Sequence, residues 1–189
     1  IAILSLYVAH GISKRTTLAL ISTLITLGLS AVLAIGFVNF NKLSGNGQEE
    51  AMFLQTSNAN INLRGLLLGG IIIGALGVLD DITTGQTAAV EEIYKANPKV
   101  GFKKLYASAI SVGQEHIASL VNTLVLAYAG ASLPLFLLFY INNSTPMWVT
   151  LNSEFIVEEI VRTLVGSITL ILAVPISTLI ASYYFTCKK

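Results

Sequence analysis

Leu18 to Phe40 is a run of 23 residues without a formal charge, and Ile117 to Ile141 is another of 25. An α-helix needs about 20 predominantly apolar residues to cross the hydrocarbon core of a bilayer. A chain of 189 residues with two such runs is constrained first by a membrane. Charge content agrees. Only 11% of the residues are Asp, Glu, Lys or Arg, against about 25% in soluble domains. The net charge of +1 argues against nucleic acid as a partner. A single cysteine, Cys187, excludes a disulfide framework.

The chain divides at its polar stretches. Ile1 to Ala9 reads as the tail of a span cut short, so the sequence reads as part of a longer protein. "HGISKRTT" is a first loop, and Leu18 to Phe40 is a complete span. A polar loop from Asn41 to Asn62 leads into a second span beginning at Leu63. "KANPKVGFKKLYAS" is a basic connector. Ile117 to Ile141 is a third span with Pro134 inside it, followed by the loop "NNSTPMWVTLNS". Phe155 to Phe185 is a long last helix containing Pro175, which membrane helices tolerate because neighbours satisfy the freed carbonyl. The expected fold is therefore all-α: one polytopic transmembrane bundle over residues 1–189, with four complete spans and a truncated N-terminal one. Lys14 and Arg15, the group Lys95, Lys99, Lys103 and Lys104, and the tail Lys188 and Lys189 fall on alternate connections. The positive-inside rule puts that Lys-rich side in the cytoplasm of a cell whose inner membrane holds the chain.

Against this background "GVLDDITTGQTAAVEEIY", Gly77 to Tyr94, is anomalous. Asp80 and Asp81 close an uncharged stretch from Gly65 with no turn signal after it. The helix should run on to about Ala96, where Asn97-Pro98 ends it. Each acid costs about 2.5–3.5 kcal/mol at a bilayer centre on insertion scales. Two close carboxylates do not easily both ionise in low dielectric, so one of them suits reversible proton or cation carriage. Two plainer readings compete: a span that stops at Leu79 with both acids in water, and a purely structural hydrogen-bonded network. No Lys lies within helical reach, since Lys95 is about four turns on.

Spacing assigns faces. Gly70, Gly74, Gly77, Asp81 and Gly85 recur every three or four residues and share a stripe. Small residues let membrane helices approach closely, so the stripe should meet a neighbouring helix and bury Asp81 more than Asp80. Asp80 lies with Thr84, Thr87 and Glu91 on a polar face. The following helix carries Glu115, His116, Ser119, Asn122 and Thr123, which would supply partners to the acids or pair helices.

"GALGVLDDITTGQTAAVEEIYKANP" and "GFKKLYASAISVGQEHIASLVNTLVLAYAGASLPLFLLF" together resemble the YibE/F family of bacterial membrane proteins, most strongly from about Leu63 to Phe185. The resemblance implies a membrane topology more than an activity. A more distant similarity is to the membrane half of the SecD/SecF and RND transporters, where an acidic pair follows a glycine and the helix ends in further acids. The matching positions are Gly77, Asp80, Asp81, Glu91, Glu92 and Ile93, which implies that Asp80 and Asp81 relay protons. The chain departs from that pattern in having no intramembrane Lys and no large extracytoplasmic domain within this stretch.

Enzyme chemistry finds little footing. There is no H-E-x-x-H motif, and His10 and His116 stand alone where a metal site needs a third ligand. "GVLDD" has Leu79 where an intramembrane aspartyl protease has glycine, and the chain has no third Asp. No cofactor, metal or nucleic acid is called for. The expected function is a transporter-like subunit with a proton- or cation-responsive Asp pair. The alternative is a non-transporting assembly or scaffold subunit. In either case the expected partners are the lipid bilayer and a homologous membrane chain or a second copy.

Overall fold

The computed structural model describes residues 2–47, 51, 53–54, 61–141 and 146–187. Its helices are α1 (Ala2–His10), α2 (Lys14–Phe40), α3 (Leu63–Ala96), α4 (Phe102–Ala131), α5 (Leu133–Ile141), α6 (Met147–Leu151) and α7 (Glu154–Cys187). No strand occurs among the described residues. Three helices, α2, α3 and α7, are long and apolar enough to cross a membrane.

Local signals set the helix ends. The Ser13 hydroxyl caps α2 by accepting from the Thr16 N–H at 3.1 Å. Asn62 Oδ1 caps α3 by accepting from Gly65 N–H at 3.0 Å. Both satisfy amides that have no partner within their own helix. α3 then runs unbroken through Asp80 and Asp81 to Ala96, and Asn97-Pro98 ends it. The helix therefore does not end at Leu79.

The expected third span is not one helix. Ile117 to Ile141 breaks at Ser132, which separates α4 from α5. Pro134 explains the break: it has no N–H to give, its ring collides with the carbonyl four residues back, and it disfavours helical geometry at Leu133. The following loop also differs from expectation, because Met147–Leu151 winds into the short α6. Lys188 and Lys189 lie outside the described residues, as does most of the stretch from 48 to 60.

α2, α3 and α7 each pack against the other two, α4 lies against α3 and α7, and α1 rests on α2 and α3. Apolar clusters hold both ends. Ala34, Val38, Leu67, Ile71, Val161 and Val165 form one, and Val90, Leu105, Ala109 and Ala181 the other. Between them a third apolar cluster of Leu79, Ile82, Ala173 and Val174 is set among buried hydroxyls. Ser22, Thr23, Thr26, Ser30, Thr83, Thr87, Thr169, Ser177, Thr178 and Ser182 have no solvent exposure. Leu24, Ile25, Val32, Ile73, Leu164, Ile171 and Leu179 point outward. Hydroxyls inside and large aliphatics outside is the polarity a lipid environment favours, because small side chains allow close helix contact there.

The two ends of the bundle differ in charge. The start of α2, the end of α3 and the start of α4 gather Lys14, Arg15, Lys95, Lys99, Lys103 and Lys104, while Leu18 on α2 and Tyr184 and Cys187 on α7 line one shallow cavity there. At the opposite end the loop after α2 folds onto the start of α7. Glu154 Oε1 accepts from the Ser44 hydroxyl at 2.7 Å and from the Gly45 N–H at 3.0 Å. One turn on, the buried Glu158 accepts from Gly47 N–H at 3.2 Å. Gly45 has φ +87°, and a Cβ there would sit 2.4 Å from the Leu63 carbonyl oxygen, so only glycine fits.

Candidate functional site

Asp80 stands midway along α3, sixteen residues after Arg64 and fifteen before Lys95. It is half-buried, and one carboxyl oxygen, Oδ1, is enclosed without a hydrogen-bond partner among the described residues. Asp81 follows it directly in the chain. Asp81 itself is exposed. This reverses the expected order of burial. Asp81 shares the glycine stripe, and the stripe faces away from the bundle.

Within this chain the stripe makes little contact. A Cβ added at Gly70, Gly74 or Gly77 would meet no described atom within 4 Å. α3 packs inward through the opposite set: Leu67, Ile71, Ala75, Leu79, Ile82, Thr83, Gln86, Thr87 and Val90 are all buried. These positions place larger apolar and hydrogen-bonding groups against α2 and α7, and the glycines are left on the outer surface. Gly85 alone of the four touches another helix, with His116 Cε1 3.2 Å from where its Cβ would be.

Interior hydroxyls flank the acid. Thr84 Oγ1 donates to the Asp80 carbonyl at 2.7 Å. Thr83 and Thr23 of α2 approach to 2.7 Å through their hydroxyls, which fixes the register of α2 against α3. Thr87 is fully buried and its hydroxyl is unpaired among the described residues. Glu91 lies at the basic end, 3.0 Å from Lys95, which also reaches Glu92 at 2.9 Å. Of the residues on α4, His116 faces α3 over Gly85, whereas Glu115, Ser119, Asn122 and Thr123 are exposed. Thr123 turns its hydroxyl back to the Ser119 carbonyl at 3.1 Å. They are not brought to the acids. α4 buries only Leu105, Ala109 and Gly113, while Ile117 and Leu120 pack half-buried against Leu79, Ile82, Ala173 and Val174, and Leu124 and Tyr128 line a narrow cavity with Gly74.

One feature escaped the sequence reading. Gln86, 1% exposed, donates both amide hydrogens, to the Ala109 carbonyl at 2.8 Å and to Thr178 Oγ1 at 2.7 Å. It ties α3, α4 and α7 together. The approach requires Gly113, where a Cβ would lie 2.4 Å from Val174 Cγ1 and 2.8 Å from Gln86 Oε1. A polar residue four before Val90 on the buried face was the available signal. Among the described residues no three of His, Cys, Asp and Glu gather as metal ligands would.

The family model for YibE/F-like proteins matches residues 1–187. The chain belongs to the YibE/F-like family. No curated protein and no solved structure is similar enough to this YibE/F-like chain to match it. Family membership and three apolar helices of spanning length make it a membrane protein.

Proposed function

We propose that this YibE/F-like chain is a transporter-like membrane subunit in which Asp80 carries a proton or a monovalent cation. The observation that carries the reading is the enclosed, unpartnered carboxyl oxygen of Asp80. At 1.5 Å per residue the acid lies roughly 24 Å from Arg64 and 22 Å from Lys95, so both charges fit the two faces of a bilayer about 40–45 Å thick overall. That puts Asp80 near the midplane, where an acid is costly and its presence points to function. Asp81 adds a second carboxyl beside it, facing the open side of α3. We read α4 with α5 as a fourth crossing beside α2, α3 and α7, in a single domain. The Lys-rich end then lies in the cytoplasm under the positive-inside rule.

A non-transporting scaffold subunit is the second reading. It is favoured by the exposed Gly70, Gly74 and Gly77 on α3 and the exposed Ser119, Asn122 and Thr123 on α4, a surface suited to another membrane chain or a second copy. Proton flux into vesicles holding the purified chain, followed with an entrapped pH dye, separates the two. Flux that Asp80→Asn abolishes while protein amount and fold persist supports the carrier. Equal behaviour of wild type and Asp80→Asn removes it.

A further inference from the structure

We propose that the end of the bundle opposite the Lys-rich one holds a binding site for a phospholipid with a primary-ammonium headgroup: its ammonium meets Glu158, its phosphate meets Arg162, and its chain lies along the glycines of α3. A cavity of about 520 Å³ opens there between α3, the start of α7 and the loop after α2. That volume is in the range of ligand sites. Leu63, Leu66, Leu67 and Ile73 form its apolar wall, and the charged residues lining it are Glu158 and Arg162. Gly69 and Gly70 make the room. A Cβ at either would meet no described atom within 4 Å. Leu66 and Ile73 are 52% and 64% exposed, so the cavity opens on the side of α3 that faces lipid.

The charges in the cavity are incompletely matched. Glu158 is 2% exposed, and a buried carboxylate is costly without a counter-charge. The ion pairs among the described residues leave it out: Lys95 serves Glu91 and Glu92, and Arg162 Nη1 reaches Glu159 at 3.0 Å. Arg64, at the same end of the bundle, turns to Asn39. Arg162 in turn keeps an enclosed Nε with no hydrogen-bond partner among the described residues. The cavity therefore offers an acceptor and a donor four residues apart on α7, about 6 Å along the axis. Their order selects the ligand. Going inward from Glu154, the acid comes first and the base second, and the apolar wall continues to Ile73, nine residues past Arg64, roughly 14 Å deeper. A phospholipid with an ethanolamine head runs in the same order, ammonium outermost, then phosphate, then acyl chain. Its ammonium carries three N–H donors for the carboxylate. A trimethylammonium head carries none, and a glycerol head brings no cation.

The test is native mass spectrometry of the purified full chain in detergent, titrated with phosphatidylethanolamine, phosphatidylcholine and phosphatidylglycerol of identical acyl chains. The ethanolamine lipid should bind about tenfold more tightly than either other, the order of one charge-assisted hydrogen bond. Glu158→Gln should bring it down to the level of the choline lipid. Gly70→Leu fills the cavity without meeting a described atom at its Cβ, so it should weaken all three lipids while helical circular dichroism stays unchanged. Gly28→Leu, on an equally open and exposed position of α2, should leave binding as in wild type. Equal affinity for the three headgroups overturns the ammonium contact with Glu158. Wild-type binding by Gly70→Leu, or equal weakening by Gly28→Leu, overturns the cavity as the place of binding. Phosphoethanolamine without acyl chains binding as tightly as the lipid overturns the choice of a lipid in favour of a soluble zwitterion.

Discussion

Replacing Gly113 by Ala tests whether α4 meets α3 and α7 at the point described. The new methyl would sit 2.4 Å from Val174 Cγ1 and 2.8 Å from Gln86 Oε1. Neither neighbour yields easily. Val174 is 1% exposed and β-branched, so its rotamer is stiff within a helix. Gln86 is pinned by two hydrogen bonds. Overpacking costs about 1–3 kcal/mol, and loss of the two Gln86 bonds adds about 1 kcal/mol each. Better helix propensity returns about 0.5–1 kcal/mol. The expected loss is thus roughly 2–4 kcal/mol, read as unfolding free energy in detergent micelles by titration with a denaturing surfactant. Gly74→Ala is the control. With no described atom within 4 Å it should be neutral or slightly stabilising. Adding Val174→Ala to Gly113→Ala removes the collision, so the double variant should exceed the sum of the singles by about 1–2 kcal/mol. Gly113→Ala as stable as wild type, or Gly74→Ala clearly weaker, would refute the packing.

Gln86→Met keeps the volume and removes both interhelical bonds, and should cost about 1–2 kcal/mol in the same surfactant assay. Thr23→Val removes one hydroxyl from the contact with Thr83 and should cost only about 0.6 kcal/mol, the average for such bonds in membranes. Gly45→Ala should unseat the loop from Glu154 without unfolding the helices, seen as faster proteolysis near residues 43–47 with helical circular dichroism unchanged. For sidedness, Cys187 is replaced and single cysteines are placed at Lys99 and Asn46. An impermeant thiol reagent on intact cells should label position 46 and spare position 99; the opposite pattern inverts the topology.

Helix extent was largely legible from the sequence because its signals are local. Asn62 and Asn97-Pro98 bracket α3, and a run without charge names α2. Which face of a helix turns inward was not legible. The glycine spacing of α3 says that a close approach is permitted at Gly70, Gly74 and Gly77, not that one is made. The same four-residue spacing occurs in Ser22, Thr26, Ser30 and Ala34 and in Thr169, Ala173, Ser177 and Ala181, and those are the stripes the fold buries. Hydroxyls scattered through apolar runs look incidental until two helices align them. The acid site was half legible. Asp80 stands out on cost alone, whereas its half-burial and the exposure of Asp81 follow from the face that α3 turns to α2 and α7.

The chemistry of that interior bears on how Asp80 is supported. Ser22, Thr26, Thr169, Ser177 and Thr178 each donate to the carbonyl three or four residues back within their own helix. Thr23 and Thr83 have two hydroxyl hydrogens to serve three contacts: their own at 2.7 Å, and those to the Ala19 and Leu79 carbonyls at 3.0 and 2.9 Å. One of the two therefore donates to the other at 2.7 Å and the remaining hydrogen goes to a backbone carbonyl, while Thr84 gives its own to the Asp80 carbonyl. Such bonding satisfies a hydroxyl without water and keeps the seam dry. A carboxylate accepts only, so the ionised form of Asp80 finds no donor in the flanking threonines. Its support has to come from outside the α2–α3–α7 seam.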